Sequence, residues 1–271
     1  MSSSSRWARR SWGGALGAAT CLATCLAGSP ARAQVGVAPA DDGAWHFDVS
    51  VPLWAAGLKG TVSLKGLPEQ PVEATLSDVM KHFDIGVFSH FEGRKGRAGF
   101  GTDVLYLNLG ADLATDRPVL GQIGLQADVR QLQWESFGFY RLAKGGPEPG
   151  NPASADVLVG FRYTGVTARI EGDAFEGTKR TFGWVDGMFG LRGYAPFGKK
   201  AGLRGRGDIA GFGSDFTWQL EGALTLRASE HWSFDAGYRY LDVDYDKGTG
   251  VDRKLYKVAT RGPVLIVRYA W

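Results

Sequence analysis

The chain has 271 residues, 31 Lys plus Arg against 28 Asp plus Glu, a formal charge of +3 and two cysteines. The first 33 residues hold Arg6, Arg9, Arg10 and Arg32 and no acid, so removing them takes the charge from +3 to −1. The basic balance therefore belongs to the leader and gives no argument for nucleic acid or an anionic surface as a partner.

In chain order, the arginines come first. An apolar run of small residues follows from Gly13 to Gly28, then Ala31-Arg32-Ala33 before Gln34. This is the plan of a cleaved secretory signal peptide over residues 1–33. Cys21 and Cys25 both fall inside it, so the mature chain enters an oxidising compartment with no disulfide to form. Leu22-Ala23-Thr24-Cys25 admits a lipoprotein reading, but Thr is a poor residue before a modified Cys. Arg9-Arg10 admits a twin-arginine reading, set aside because a chain bound for the outer membrane travels unfolded. Residues 34–44 read as a short linker. The 238 residues after the leader suit one barrel or one large sandwich. They contain no apolar run near the ~20 residues of a membrane helix, so any span must be built from strands.

Strand alternation dominates the rest. In residues 216–228, Phe216, Trp218, Leu220, Leu224 and Leu226 share one face, and Thr217, Gln219, Glu221, Thr225 and Arg227 the other. The same reading gives about ten strands: 45–56, 84–94, 98–110, 122–142, 155–170, 181–197, 201–213, 216–229, 231–245 and 255–271. An even number returns both ends of a barrel to the periplasm. Short turns then fall on one side, at Gly93 to Gly96, Gly145 to Pro152, Gly198 to Lys200 and Ser229 to His231. The other side receives Gly57 to Phe83, Ala111 to Gly121, Gly172 to Arg180, Gly211 to Asp215 and Asp246 to Lys254. Segments 60–65 and 72–76 read as a hairpin extending the first strand beyond the membrane, and Ser77 to Phe83 as a helical turn capped by Ser77.

Alternation alone does not say which face meets lipid, since a soluble sandwich has the same period. Three features decide it. Every mature lysine, from Lys59 to Lys257, lies in a turn, loop or strand end, while the polar face uses Arg, the residue suited to confined bidentate pairs. Aromatics gather at the stripe ends, and the stretch from Trp232 to Tyr240 holds nine residues, close to the ~9 to 11 of a tilted spanning strand. Beyond Tyr240 the apolar parity passes to Asp242, Asp244 and Asp246, as in a strand leaving a membrane. Finally, Leu265, Val267, Tyr269 and Trp271 alternate up to a C-terminal aromatic, which resembles the signal that outer-membrane chains present to their assembly machinery, with Ile266 where that signal often has Gly. Together these predict an all-β, antiparallel transmembrane β-barrel over 45–271 with about 10 strands, 8 to 12 being allowed.

The inward face then carries Asp48, His90, Glu92, Asp103, Glu135, Arg141, Asp156, Arg162, Asp186, Arg192, Arg204, Arg206, Asp208, Glu221, Arg227, Asp235, Arg239 and Arg268. Acids and bases nearly balance. Ten strands make a narrow barrel, little wider than one that side chains just fill, and Phe139, Trp184 and Tyr194 add bulk. The expectation is a plugged lumen held by paired charges.

Inward carboxylates beside a histidine would also be the elements of general acid and base catalysis. His46 and His90 are the only inward histidines, Ser89 faces away from His90, His231 sits in a periplasmic turn, and His82 lies in the outer excursion near Asp84. No acid, base and nucleophile converge, so no catalytic set is assigned. Gly205-Arg206-Gly207-Asp208-Ile209-Ala210 matches a dinucleotide fingerprint and contains Arg-Gly-Asp, but lies mid-strand with no helix after it. Asp242-x-Asp244-x-Asp246-x-Gly248 is near a calcium loop, with its Gly one place late and no closing Glu. No His/Cys metal cluster exists, and no cofactor is expected.

Gly190-Leu191-Arg192-Gly193, the run Gly205 to Gly213, Ser214 to Gln219, Gly237 to Asp246 and Gly262-Pro263 resemble a large family of proteobacterial outer-membrane barrels in the style of the OmpA, OmpX and OmpW class. Leu53-Trp54-Ala55 and Leu76-Ser77-Asp78-Val79 match more loosely. The resemblance implies fold and location, in a Gram-negative cell, and no reaction. The leading functional expectation is a structural or interaction barrel whose partners are outer-membrane lipid, the assembly machinery during biogenesis and an extracellular ligand of unknown kind. A small-solute or ion channel is second, and a lipid-modifying or proteolytic enzyme third.

Overall fold

A computed structural model describes residues 43–64, 69–74, 83–114, 124–145, 152–172 and 175–271. The chain divides into two compact units, Met1–Ala31, which lies wholly outside the described residues, and Arg32–Trp271, which holds all of the described ones. The expected leader, the linker up to residue 42, the capped turn from Ser77 and His82 also lie outside them.

Among the described residues twelve strands are formed: β1 (Trp45–Trp54), β2 (Gly57–Leu64), β3 (Gln70–Ala74), β4 (Phe83–Lys95), β5 (Ala98–Ala114), β6 (Gly124–Gly145), β7 (Ala153–Gly172), β8 (Phe175–Pro196), β9 (Ala201–Gly211), β10 (Phe216–Arg227), β11 (Trp232–Lys247) and β12 (Lys254–Ala270). Every pairing is antiparallel, and the sheet closes because β12 pairs with β1 at Asp48↔Ala270 through Trp54↔Val264. β2 continues β1 along the same partner, from Gly57↔Arg261 to Leu64↔Lys254, and β3 pairs back on β2. The barrel is thus ten-stranded, with β2 and β3 as the expected hairpin extension of the first strand.

Register fixes its shape. Ladder partners followed from Asp48 pass Glu92, Gly101, Phe137, Gly160 and on to Val258, which pairs with Gly60, so one circuit climbs strand 1 from 48 to 60. A shear of that size with ten strands tilts the strands by about 40°. Nine or ten residues of such a strand then rise about 25 Å, the height of a bilayer's apolar band.

Polarity is inside out over that band. Val159, Phe189, Leu203, Leu220, Leu224 and Leu265 point outward and are half exposed or more, whereas Arg162, Glu135, Asp186 and Asp235 are buried within. Polar groups on the outer face satisfy one another: Trp134 Nε1 donates to Thr102 Oγ1 at 3.0 Å, and Thr102 donates to the Glu135 carbonyl at 2.8 Å. Hydrocarbon offers no other partner. Rings collect at the end that holds the barrel's first and last residues, expected to be periplasmic, where Trp232 and Tyr269 are 5.0 Å apart and Phe47 lies 5.9 Å from Trp271, and at the opposite, outer end, where Trp218 stacks on Tyr240 at 4.8 Å.

Past Tyr240 the polarity reverses. Leu241, Val243 and Tyr245 point inward and are buried, while Asp242, Asp244 and Asp246 point out. Lys257 reaches Asp244 at 3.1 Å, and Arg253 joins Asp246 to Glu69, at 2.7 Å each. Above the membrane the wall is an ordinary water-facing barrel with an apolar interior. The strands accordingly run longer than alternation suggested: β5 continues to Ala114, and β8 begins at Phe175, within the stretch expected to be loop.

Substituting Val159 by Arg, 60% exposed on the outer face, puts a guanidinium near the bilayer midplane and should cost about 2–4 kcal/mol. Thr181→Arg, outward on β8 above the band, should cost little. Denaturant titration of both variants in lipid vesicles measures the difference.

Candidate functional site: the charged lumen

The lumen's side chains come from alternate residues of all ten barrel strands. On β6, Gln133, Glu135, Phe137, Phe139 and Arg141 face in because Leu132, Trp134, Tyr140 and Leu142 must face lipid. The hydrophobic stripe outside therefore places the charges inside.

Most of the inward set forms one connected network. Arg162, with no exposed surface, donates to Glu135 at 2.8 Å and to Asp208 at 2.7 Å. Arg206 reaches Glu135 at 2.7 Å and both Asp103 and Asp208 at 3.1 Å. Gln219 links Asp208 to Arg239, at 2.7 and 2.8 Å. Nearer the periplasm, Arg141 grips Asp156 in a fork, Asp156 also accepts from Arg192 at 2.9 Å, and Arg192 pairs with Glu92. Across the lumen, Arg268 meets Asp48 at 2.8 Å and Asp235 at 3.4 Å, with Arg204 3.6 Å from Asp235.

His90 joins these groups. Its Nδ1 is 2.5 Å from Asp103, and its Nε2 is 3.8 Å from both Asp48 and Glu92. Seven arginines (141, 162, 192, 204, 206, 239, 268) thus face seven carboxylates (48, 92, 103, 135, 156, 208, 235), with one imidazole between them. Such balance is what burial of ions demands, since an unmatched buried charge costs far more than a matched pair gains. Rings fill the space between: Arg192 lies 4.2 Å over Phe139 and Arg206 5.0 Å over Phe137.

Two residues expected in the network, Asp186 and Glu221, stand apart from it. Asp186 accepts from the backbone N–H groups of Gly213 and Ser214, at 3.0 and 2.6 Å, and from Trp184 Nε1 at 3.0 Å. It holds the tight β9–β10 turn, where Phe212 adopts a left-handed φ of 92°. Glu221 faces in but forms no hydrogen bond or ion pair among the described residues. Arg227 sits half-buried at the periplasmic end of β10. As for the remaining histidines, His46 faces in at the periplasmic end of β1, and His231 Nδ1 is 2.9 Å from the Ala270 carbonyl in the β10–β11 turn.

Sequence reasoning missed a second plug. Above the charges, Trp54, Leu105, Phe182, Trp184, Tyr245 and Tyr256 belong to one buried apolar cluster, with Trp184 stacked on Tyr245 at 4.3 Å. The signal was the parity swap on β11: the shift that turns Asp242, Asp244 and Asp246 outward must turn Leu241, Val243 and Tyr245 inward. Among the described residues no group of His, Cys, Asp and Glu is arranged to hold a metal.

No protein-family model and no curated protein matches the chain. Among solved structures it is similar to the translocator domain of the autotransporter NalP from Neisseria meningitidis, at 14% identity and a TM-score of 0.42, over 84% of this chain and 89% of that one. It is also similar to Ail, the attachment invasion locus protein of Yersinia pestis, at 11% identity and 0.34, over 84% and 98%. The transport unit of the autotransporter AIDA-I from Escherichia coli gives 8% and 0.41, over 83% and 89%.

Replacing Arg162 by Met strands Glu135 and Asp208 with one fewer cation in a site closed to water, and should destabilise the barrel by about 3–5 kcal/mol. Glu221→Gln removes no pair and should change stability by no more than about 0.5 kcal/mol. Equilibrium unfolding in vesicles distinguishes the two.

Proposed function

We propose that the protein is an integral outer-membrane barrel, delivered by a cleaved leader, whose lumen is sealed to ions and whose work is done by its outer surface and loops. The observation that carries this reading is the stacking of two plugs along one axis. A connected set of ion pairs spans the lumen from Arg141 to Arg239, and a packed aromatic cluster lies above it. An ion would have to break buried guanidinium–carboxylate pairs and then cross an apolar layer, each step opposed by desolvation.

The strands β5 to β8, of 17 to 22 residues, exceed what a bilayer requires. Their surplus forms a wall standing in the external medium, the part of the molecule available to a ligand or partner. This arrangement supports a structural or interaction role. Purified protein reconstituted in a planar bilayer should carry no steady current at about 100 mV. A stable open-channel current from the wild-type chain would overturn the sealed-lumen reading, and N-terminal sequencing of membrane-extracted protein should begin at Gln34.

A further inference from the structure

Among the described residues β8 runs past β9 above Gly187↔Gly211, beyond the β9–β10 turn, and a second seam stops lower, beside the apolar band. β1 and β4 pair from Trp45↔Lys95 to Ser50↔His90 and no further. Above that level, among the described residues, Val51–Trp54 pairs with β12 alone and Phe83–Ser89 with β5 alone. The sequence explains where the ladder stops. Phe47 and Ala55 donate their N–H groups to β12 carbonyls, so the odd-numbered amides of β1 face β12 and the even-numbered ones face β4. Pro52 is even-numbered. The next amide that would donate to β4 does not exist, and proline belongs on such an edge.

The seam lies beside the apolar band of the outer face. Val51 and Leu53, on the outer face beside it, are exposed as lipid-facing residues are, and Leu53 stands opposite Leu265 in the apolar band. Backbone left unpaired at that depth needs a polar partner from protein, water or a bound group, since hydrocarbon supplies none. Just inside lies Trp54, only 9% exposed, whose Nε1 is buried without a hydrogen-bond acceptor. The Arg239 guanidinium sits 4.8 Å over the Trp54 ring, and its Nε is buried without an acceptor as well. Glu135 does not supply one: its contact with Arg239 is 3.9 Å, and it already serves Arg162 and Arg206. Two unmet donors, one of them cationic, therefore stand behind the stretch where β1 and β4 are unpaired among the described residues, with Phe88 and the apolar cluster around them.

We propose that the seam between β1 and β4 is a lateral binding site for a single-chain anionic amphiphile of the fatty-carboxylate class. Its tail stays in the outer leaflet, and its carboxylate passes between the strands to accept from Trp54 Nε1 and Arg239 Nε. The site goes beyond the sealed-lumen reading and does not depend on it, since a ligand entering from the side needs no axial path; bilayer conductance bears on that reading alone.

The probe is palmitate, with hexadecanol as the uncharged counterpart, titrated against the full mature chain in non-ionic detergent and read by native mass spectrometry. Palmitate should give a saturable one-to-one adduct and hexadecanol should bind at least about tenfold more weakly. Trp54→Phe keeps an aromatic ring and removes the N–H, and should weaken palmitate by roughly tenfold. Because that variant could fail to fold, hydrogen exchange on the wild-type chain supplies a second reading: the Trp54 amide should exchange much faster than those of Asp48 and Ser50, and palmitate should slow it. The proposal is overturned if the wild type gives no saturable palmitate adduct, if the alcohol binds equally, if folded Trp54→Phe binds palmitate unchanged, or if the Trp54 amide is as protected as that of Asp48.

Discussion

The structure depends on one exchange of environments: hydrocarbon takes the apolar side chains, so the charged ones have nowhere to go but inward. A strand has only two faces, and period-two alternation ties them rigidly together. Once Leu220 and Leu224 commit to lipid, Gln219, Glu221 and Ala223 are committed to the lumen. The charged lumen is thus a consequence of the outer surface as much as a feature in its own right. What the sequence had to solve was matching, and it did so by distributing arginines and carboxylates around the circumference so that partners such as Glu92 and Arg192 meet across strands far apart in the chain.

That solution makes the charges a specification of register. Arg162 on β7 bridges Glu135 on β6 and Asp208 on β9, passing over β8. A slip of one residue in any of these strands would carry a charge into lipid and also break a pair. Stability from such pairs is modest, because desolvation offsets most of their attraction. Their effect is on alternatives: wrong registers lose twice.

Much of this was legible beforehand, and the reason is that lipid imposes its rule on every spanning residue. Alternation located ten barrel strands and the hairpin beyond β1, because a mistake in parity at Arg204 or Arg206 would have placed a guanidinium in hydrocarbon. The extent of β8 was not legible, since above the membrane Thr178 and Arg180 obey no such rule and read as loop. Pairing partners were not legible either. Asp186 looks like any inward carboxylate in sequence, and only the fold shows that the β9–β10 turn brings the Gly213 and Ser214 amides to it. The aromatic cluster was half legible: Trp184 was placed inside, while the meaning of the β11 swap for Val243 and Tyr245 needed the wall's height to become visible.

The same constraint that closes the barrel along its axis makes the β1–β4 edge conspicuous. In a wall where even Thr102 and Trp134 find partners on the lipid side, a proline on the facing edge of β1 and a buried indole N–H behind it run against the general rule. Closure requires only that the ten strands be joined somewhere along each seam, and the six pairs from Trp45 to Ser50 suffice for that. The upper part of the seam is therefore free of the structural duty that the rest of the wall carries. If the lumen is sealed as proposed, a barrel loosely joined at the β1–β4 edge would exchange with the leaflet around it, not with the water at its two mouths.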